Sequence, residues 1–343
     1  MSLRIGVVGA GANTCAKHLP GFQAIPGVEI VAICNRTPES GQRVAREFGI
    51  PTVAPNWREV VEAPGIDAIC IGTWPNMHAK LTVAALRAGK HVLTEARMAR
   101  NLAEAEMMIE ESRLYPRQVA QIVPAPMSFP FDSTISWLVQ GGVLGHLREI
   151  EMYCTSDVYA NSALMRTWRQ DSAVSGKNTL YLGIYYEMVL RWLGGKGVAA
   201  VVADAAIFTK ERKDEEGVPW PVNIPESVTV LGTYADGARL IGHFSGVDRT
   251  GPRSEFRLNG TNASLRLDLV KNELWLTKAG EKERLVEIAP ERRGTWRVEA
   301  DFIDSIRERK PVRLTDFATG VKYMHFTDAV WESWSAFGQR VNL

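Results

Sequence analysis

A chain of 343 residues has room for about two domains, each with its own core. With 45% hydrophobic and 23% charged residues it has the composition of an ordinary globular protein, which excludes disorder, collagen and coiled coil. The 40 Lys+Arg against 39 Asp+Glu leave a formal net charge of +1, so no bulk field would hold the chain on nucleic acid or an anionic membrane.

Leu3 to Val8 is a short apolar run that ends at Gly9 and Gly11, after which a helical pattern is predicted from Ala12 to Ala24. Val28 to Cys34 reads as a second strand, and Asn35-Arg36-Thr37-Pro38 opens a helix through Phe48. The alternation continues with a strand at 67–71, a helix at about 76–88, a strand at 91–93, a helix at 102–113 and a strand at 118–123. Repeated strand and helix predict right-handed crossovers onto a doubly wound parallel sheet, whose ligands bind beyond the carboxyl ends of the strands. The second half opens with a helix over 131–140, a strand over 147–155 and a helix from about Asn178 to Leu193. Strands at 198–208, 227–234, 239–245, 254–259, 263–268 and 273–276 follow, separated by turns such as Asp236-Gly237 and Asn259-Gly260. They predict an antiparallel meander, closed by helices over 297–309 and 315–334. The expected division is 1–123 and 124–343, giving an α/β protein with a parallel sheet followed by a large open, mostly antiparallel one.

Four scattered cysteines, Cys15, Cys34, Cys70 and Cys154, have no C-x-x-C spacing and read as small hydrophobes. His146, His243 and His325 lack metal-ligand spacing, so no metal is expected. The N-terminus carries no signal-peptide pattern, and no apolar run reaches the ~18 residues that span a bilayer, so a cytoplasmic protein is expected. Lys210 to Glu216 mixes charges and reads as a solvated loop.

Gly9-Ala10-Gly11-Ala12-Asn13-Thr14 lies between a strand and a helix, where Gly9 allows a tight turn and Gly11 lets backbone N–H groups approach a pyrophosphate. The third position is Thr14 in place of Gly or Ala. At the end of the second strand an acidic residue would bind both ribose hydroxyls of NAD and repel a 2′-phosphate. Here stand neutral Asn35, Arg36 with a donor fork suited to phosphate, and Thr37 with a hydroxyl and a helix N-cap position. The loop favours NADP(H) over NAD(H); the alternative is a surface Arg36 and a site that takes either.

Thr73-Trp74-Pro75-Asn76-Met77-His78 and Ala85-Leu86-Arg87-Ala88-Gly89-Lys90-His91-Val92-Leu93-Thr94-Glu95 go beyond a generic dinucleotide fold. The chain resembles the glucose-fructose oxidoreductase / inositol dehydrogenase / MocA family, whose pattern includes A-L-x-A-G-K-H-V-x-x-E-K-P. The resemblance implies an N-terminal Rossmann domain and a C-terminal α/β domain whose open sheet mediates homo-oligomer contacts. It also implies nicotinamide-dependent oxidation or reduction of a small sugar, polyol or keto compound. Thr73, Trp74, Pro75, Asn76, His78, Glu95 and Ala96 would then line the cofactor, with His78 bracing the loop and Glu95 near the nicotinamide ribose. Trp168 and Arg169 look like the family's W-R element on the substrate side.

Two departures touch the chemistry. The family lysine of E-K-P is replaced in Glu95-Ala96-Arg97, and Ala96 cannot exchange a proton. The helix that reads D-x-G-x-H-x-x-D in the family has Tyr181, Tyr185 and Met188 at those positions when aligned on Gly183. Three readings follow. In the first, an oxidoreductase uses Tyr181 and Tyr185 as acid/base, with Lys177 one turn before Tyr181 lowering a phenol pKa, and with Arg97 and Arg169 orienting the substrate. Its bland alternative is that the two tyrosines are amphipathic packing. In the second, a recycled bound cofactor serves a redox-assisted lyase or hydrolase. In the third, the chain is an inactive NADP(H)-binding sensor or partner protein. Glu187 lies off the site-facing stripe by spacing and is expected at the surface or in an ion pair. Asp171 and Asn178 are near enough in sequence to touch substrate.

Overall fold

The computed structural model describes residues 2–343. They form two compact units, Met1–Pro124 with Arg297–Val321, and Ala125–Trp296 with Lys322–Leu343. The expected division put all of 124–343 in the second domain. Residues 297–321 instead return to the first, because Phe302 is buried edge-on against Phe22 and two strand-end groups need partners there. Gln121 Nε2 donates to the Val298 carbonyl and the Ile122 N–H to that of Thr315.

The first unit contains β1 (Leu3–Val8), α1 (Leu19–Gln23), β2 (Val28–Cys34), α2 (Pro38–Phe48), β3 (Thr52–Val53), α3 (Trp57–Val61), β4 (Ala68–Ile71), α4 (Pro75–Arg87), β5 (His91–Thr94), α5 (Leu102–Leu114) and β6 (Ala120–Ile122). The six strands lie in the order β3-β2-β1-β4-β5-β6 and all neighbours are parallel. The order reverses between β1 and β4, the place where such sheets open a crevice at their carboxyl edge. Continuous apolar runs such as Ala68–Ile71, buried at every position, are what a sheet covered on both faces demands. Capping explains where the helices start. Thr37 Oγ1 accepts from the Ser40 N–H ahead of α2, Asn56 from Arg58 and Glu59 ahead of α3, and Asn101 from Glu104 ahead of α5. β3 and α3 are too short to show a period and were not expected. The first helix is widened over Thr14–His18, where the Leu19 N–H reaches back to the Thr14 carbonyl.

The second unit continues with α6 (Phe129–Gln140), β7 (Leu147–Thr155), α7 (Ser172–Ser175), α8 (Leu182–Trp192), β8 (Ala200–Ala206), β9 (Glu211–Lys213), β10 (Pro219–Pro221), β11 (Ser227–Thr233), β12 (Arg239–Ser245), β13 (Arg253–Gly260), β14 (Ala263–Asp268), β15 (Glu273–Lys278) and β16 (Arg284–Leu285). After α9 (Val298–Glu308) come α10 (Phe317–Ser335) and β17 (Val341–Asn342). Nine strands run in the order β16-β15-β14-β13-β7-β12-β11-β8-β17. The sheet is mostly antiparallel, but β7 and β12 are parallel, so the simple meander is corrected to a mixed sheet. Strict alternation along β11 and β14 buries one face. Tyr185 and Trp192 of α8 meet Phe244 and Phe256 on it, and Tyr186 stacks on Phe326 of α10. The stretch 210–216, expected as a solvated loop, contains β9. The Arg212 side chain there is buried in an ion pair with Glu226 at 3.0 Å.

Candidate active site

The glycine loop is built by two close approaches. Gly9 has φ +85°, and a Cβ there would stand 2.7–2.9 Å from Thr73 and Gly72, so the turn admits only glycine without strain. Thr14 fills the third position of the glycine pattern, and the space it takes is returned across the crevice by Gly72. A Cβ on Gly72 would lie 2.1 Å from Thr14 Oγ1 and 2.2 Å from the Gly9 carbonyl. Gly72 was not singled out from sequence, although its place directly after β4 is the signal that could have found it. Gly11 meets nothing nearer than 3.9 Å, and Gly11, Ala12 and Asn13 are exposed, leaving a cradle at the helix start that suits a pyrophosphate.

Asn35 is spent on the loop itself. Its Oδ1 accepts the Ala10 N–H at 2.7 Å and its Nδ2 donates to Ser40 Oγ at 2.8 Å. Thr37 caps α2, and exposed Arg36 holds its guanidinium 5.0 Å above the Trp74 ring. No carboxylate ends β2. Pro75 starts α4 behind Trp74, and buried Thr73 Oγ1 and Asn76 Oδ1 make no hydrogen bond within the protein, which fits a site completed by a polar ligand.

His78 is buried with Nε2 3.0 Å from the Thr73 carbonyl and Nδ1 2.9 Å from that of Arg97, so it ties the turn after β4 to the turn after β5. Burial pushes its pKa down. The Ala96–Arg97 peptide is cis. Glu95, immediately after β5, accepts from Asn13 Nδ2 at 2.5 Å and lies 3.1 Å from His18 Nε2. His18 Nδ1 is 2.5 Å from Glu299 Oε1 of α9. Burial opposes charge on both partners, yet the hydrogen bonds win. Those to Glu299 and Glu95 raise the His18 pKa to about 9, and those from His18 and Asn13 hold Glu95 below the usual carboxylate value. His18 and Glu299 escaped the sequence reading because they stand 281 residues apart, where no local spacing joins them.

In the second unit the rings of Tyr181 and Tyr185 meet, 6.2 Å apart, but the helical spacing expected of Lys177 does not form. The expected helix over 178–193 starts only at Leu182, since Gly176 (φ +69°) ends α7 and Leu180 sits at φ +46°. Lys177 is therefore not one helical turn before Tyr181, and its ammonium is bound by Asp328 at 2.7 Å. Tyr185 is packed against Phe256 and Phe244 with its OH 2.5 Å from Ser254 Oγ, and burial raises its pKa, the opposite of activation. Met188 is buried as well, so of the three positions that the helix pattern aligned only Tyr181 is open, at 52% exposure. The physical reason is that Tyr185 faces the apolar side of the sheet.

Arg169 is exposed and lies over Trp168 at 4.3 Å, in a tight turn closed by the Thr167 and Gln170 side chains. Asp171, a possible substrate contact, is engaged by Arg166 at 2.8 Å and caps α7. Asn178 is buried and donates to the Ser175 carbonyl. Glu187 is buried, not at the surface: it accepts the Ala125 N–H and pairs with Arg191, which also binds Asp132. Among the described residues no cluster of His, Cys, Asp or Glu could hold a metal ion, and no helix is long and apolar enough to cross a membrane.

Comparison with known proteins agrees with this architecture. Residues 3–120 match the GFO_IDH_MocA model, described as an oxidoreductase family with an NAD-binding Rossmann fold, and residues 133–266 match the GFO/IDH/MocA C-terminal domain. The chain is 24% identical to levoglucosan dehydrogenase of Pseudarthrobacter phenanthrenivorans, over 97% of this chain and 96% of that one. It is 37% identical to 4-carboxy-2-hydroxymuconate-6-semialdehyde dehydrogenase of a Sphingobium species, over 32% of this chain and 35% of that one. A levoglucosan dehydrogenase structure in complex with NADH and L-sorbose superposes with a TM-score of 0.87 at 23% identity, covering 99% of this chain and 98% of the other.

Proposed function

The chain belongs to the GFO/IDH/MocA family and is an NAD(P)-dependent oxidoreductase, and from this we propose that it moves a hydride to or from a small sugar, polyol or related keto compound, with NADP(H) preferred over NAD(H). The observation that carries the reading is the glycine cradle at the switch point, with open Gly11, buried unpartnered Thr73 Oγ1 and no carboxylate at the end of β2. The sugar class is supported by the dehydrogenase of levoglucosan, which matches over nearly the whole chain. Bound nicotinamide supplies the hydride donor or acceptor.

The chain's own residues take the remaining roles. The amides after Gly11 would hold the pyrophosphate, and Arg36, steadied by Trp74, would meet a 2′-phosphate. His78 keeps the Thr73 and Arg97 turns in register. Tyr181 is the group of the altered helix that can hold the substrate hydroxyl proton, Tyr185 being enclosed. Lys177 is fixed by Asp328. Arg97, after the cis peptide that follows Glu95, is the cation of the first unit that would meet a substrate oxygen. The half-exposed face of the nine-stranded sheet serves homo-oligomer contact.

The test is a parallel fluorescence titration with NADPH and NADH, followed by a screen of aldoses, anhydrosugars and inositols for nucleotide turnover. NADPH should bind more tightly, and Arg36→Ala should remove on the order of 1–2 kcal/mol of that preference. Tyr181→Phe should lower kcat/KM by about 100-fold or more. Failure of both nucleotides to bind would overturn the reading.

A further inference from the structure

We propose that His18 is a charge-compensating positioning residue of the dinucleotide site: it lets the Glu95 carboxylate stand beside the pyrophosphate cradle without repelling the anion. The inference rests on the nucleotide-binding reading above and deepens it.

A carboxylate at this place is at first sight misplaced. Glu95 Oε1 accepts a 2.5 Å hydrogen bond from Asn13 Nδ2, and Asn13 lies two residues beyond Gly11 in the exposed start of the first helix. Helix starts with free amides attract anions, and a fixed negative charge there works against a pyrophosphate that carries two. The structure supplies a counter-charge from behind. His18 is buried on the same helix with one ring nitrogen against Glu95 and the other against Glu299, at 3.1 and 2.5 Å. Two carboxylate acceptors on one imidazole require both nitrogens to donate, which only the imidazolium does. The cluster then holds one positive and two negative charges. With a neutral ring it would hold two negative charges and no cation.

Burial disfavours a positive or negative charge on two neighbouring groups, Cys70 and His78. Cys70 of β4 is fully buried, and burial first and then Glu95 and Glu299 push its thiol up, so it stays protonated. Burial pushes the pKa of His78 of α4 down, against the pull of the two carbonyls at its ring nitrogens. His18 is thus the cation of the cluster, and its partner Glu299 comes from the segment that returns to this unit late in the chain.

The measurement is the dissociation constant of NADH from about pH 7 to about pH 10, for the wild-type chain, His18→Gln, Glu299→Gln and the double variant. The wild type should lose on the order of tenfold in affinity across an alkaline break as His18 deprotonates. His18→Gln should start about tenfold weaker and show no break, and adding Glu299→Gln should restore most of the loss by removing one negative charge. Glu299→Gln alone should keep affinity at neutral pH and move the break to lower pH, which tests the assignment even if His18→Gln fails to fold. A pH-independent wild type, or a double variant weaker than His18→Gln, would overturn the assignment while leaving the nucleotide reading intact. Absence of NADH and NADPH binding by the wild type would overturn both.

Discussion

Arg212 offers the sharpest test of how the second unit is held. Its guanidinium is buried against Glu226 at 3.0 Å. It also donates to the carbonyls of Tyr159 (2.9 Å), Asn161 (2.7 Å) and Leu164 (3.1 Å), while the other Glu226 oxygen accepts the Phe208 and Thr209 N–H groups. Arg212→Met keeps much of the stem's volume and removes five donors. What remains is a buried carboxylate with no cation and three carbonyls that lose their partner. Removing one member of a buried pair costs about 3–5 kcal/mol. For a unit of this size each kcal/mol moves the melting temperature by roughly 2–4 °C, so a drop of roughly 6–20 °C is expected. Adding Glu226→Gln to Arg212→Met removes the orphaned charge but keeps an acceptor for the two amides. The double variant should therefore recover about 2 kcal/mol, a coupling that a double-mutant cycle by thermal and urea denaturation reads directly. If Arg212→Met lies within about 1 kcal/mol of the wild type, or the two changes simply add, the pair does not hold the 159–164 loop and this account fails.

Tyr185→Phe keeps the stacking on Phe256 and removes the hydroxyl's bonds to Ser254 and Cys154. It should cost about 1 kcal/mol in urea denaturation and leave NADH affinity unchanged, whereas loss of turnover with normal stability would restore Tyr185 to the chemistry. Gly72→Ala forces a methyl to within 2.2 Å of the Gly9 carbonyl, a backbone atom that cannot rotate away. Overpacking of about 1–3 kcal/mol and weaker NADH binding should appear together, the first by calorimetry and the second by fluorescence titration. Stability should also depend on alkaline pH. His18 has a folded pKa of about 9, above its ordinary unfolded value of about 6.5. Its contribution is therefore fully present below about pH 6.5 and lost as pH rises through about 9. A melting temperature that falls across this window in the wild type and stays level in His18→Gln is the expected result.

The dinucleotide half was readable because its signals are local. A strand, a glycine turn and a capped helix each lie within a dozen residues, and Thr37 and Asn101 stand where the caps fall. What local pattern could not show is what depends on distant partners. His18, Glu95 and Glu299 meet only when three separate segments are folded together. The glycine that Thr14 displaces is recovered at Gly72, on another strand, so the defect in the motif and its remedy are far apart in sequence. The altered helix misled for a different reason: Leu180 takes a left-handed conformation that nothing in its residue type announces, so a continuous 3.6 period was drawn through a break. Tyr185 then looked like a site residue, since periodicity identifies a face without saying whether that face meets solvent or a sheet. Arg212 was read from the charges around it. A guanidinium flanked by exposed Glu211 and Lys213 looks solvated, while the strand's two-residue alternation turns it inward.

The return of residues 297–321 to the first unit sets the order in which the protein can be made. β6 leaves its edge groups to Val298 and Thr315, and the Gly320 backbone fits against Met98 and Ile122. A ribosome that has released the first 124 residues has therefore released an incomplete nucleotide-binding unit, with Phe22 and His18 still facing solvent. At about 5–20 residues per second the missing segment follows only after roughly 10–40 seconds, and the second unit waits longer still for its own last segment, Lys322–Leu343. A fragment ending near Pro124 would reproduce that nascent species.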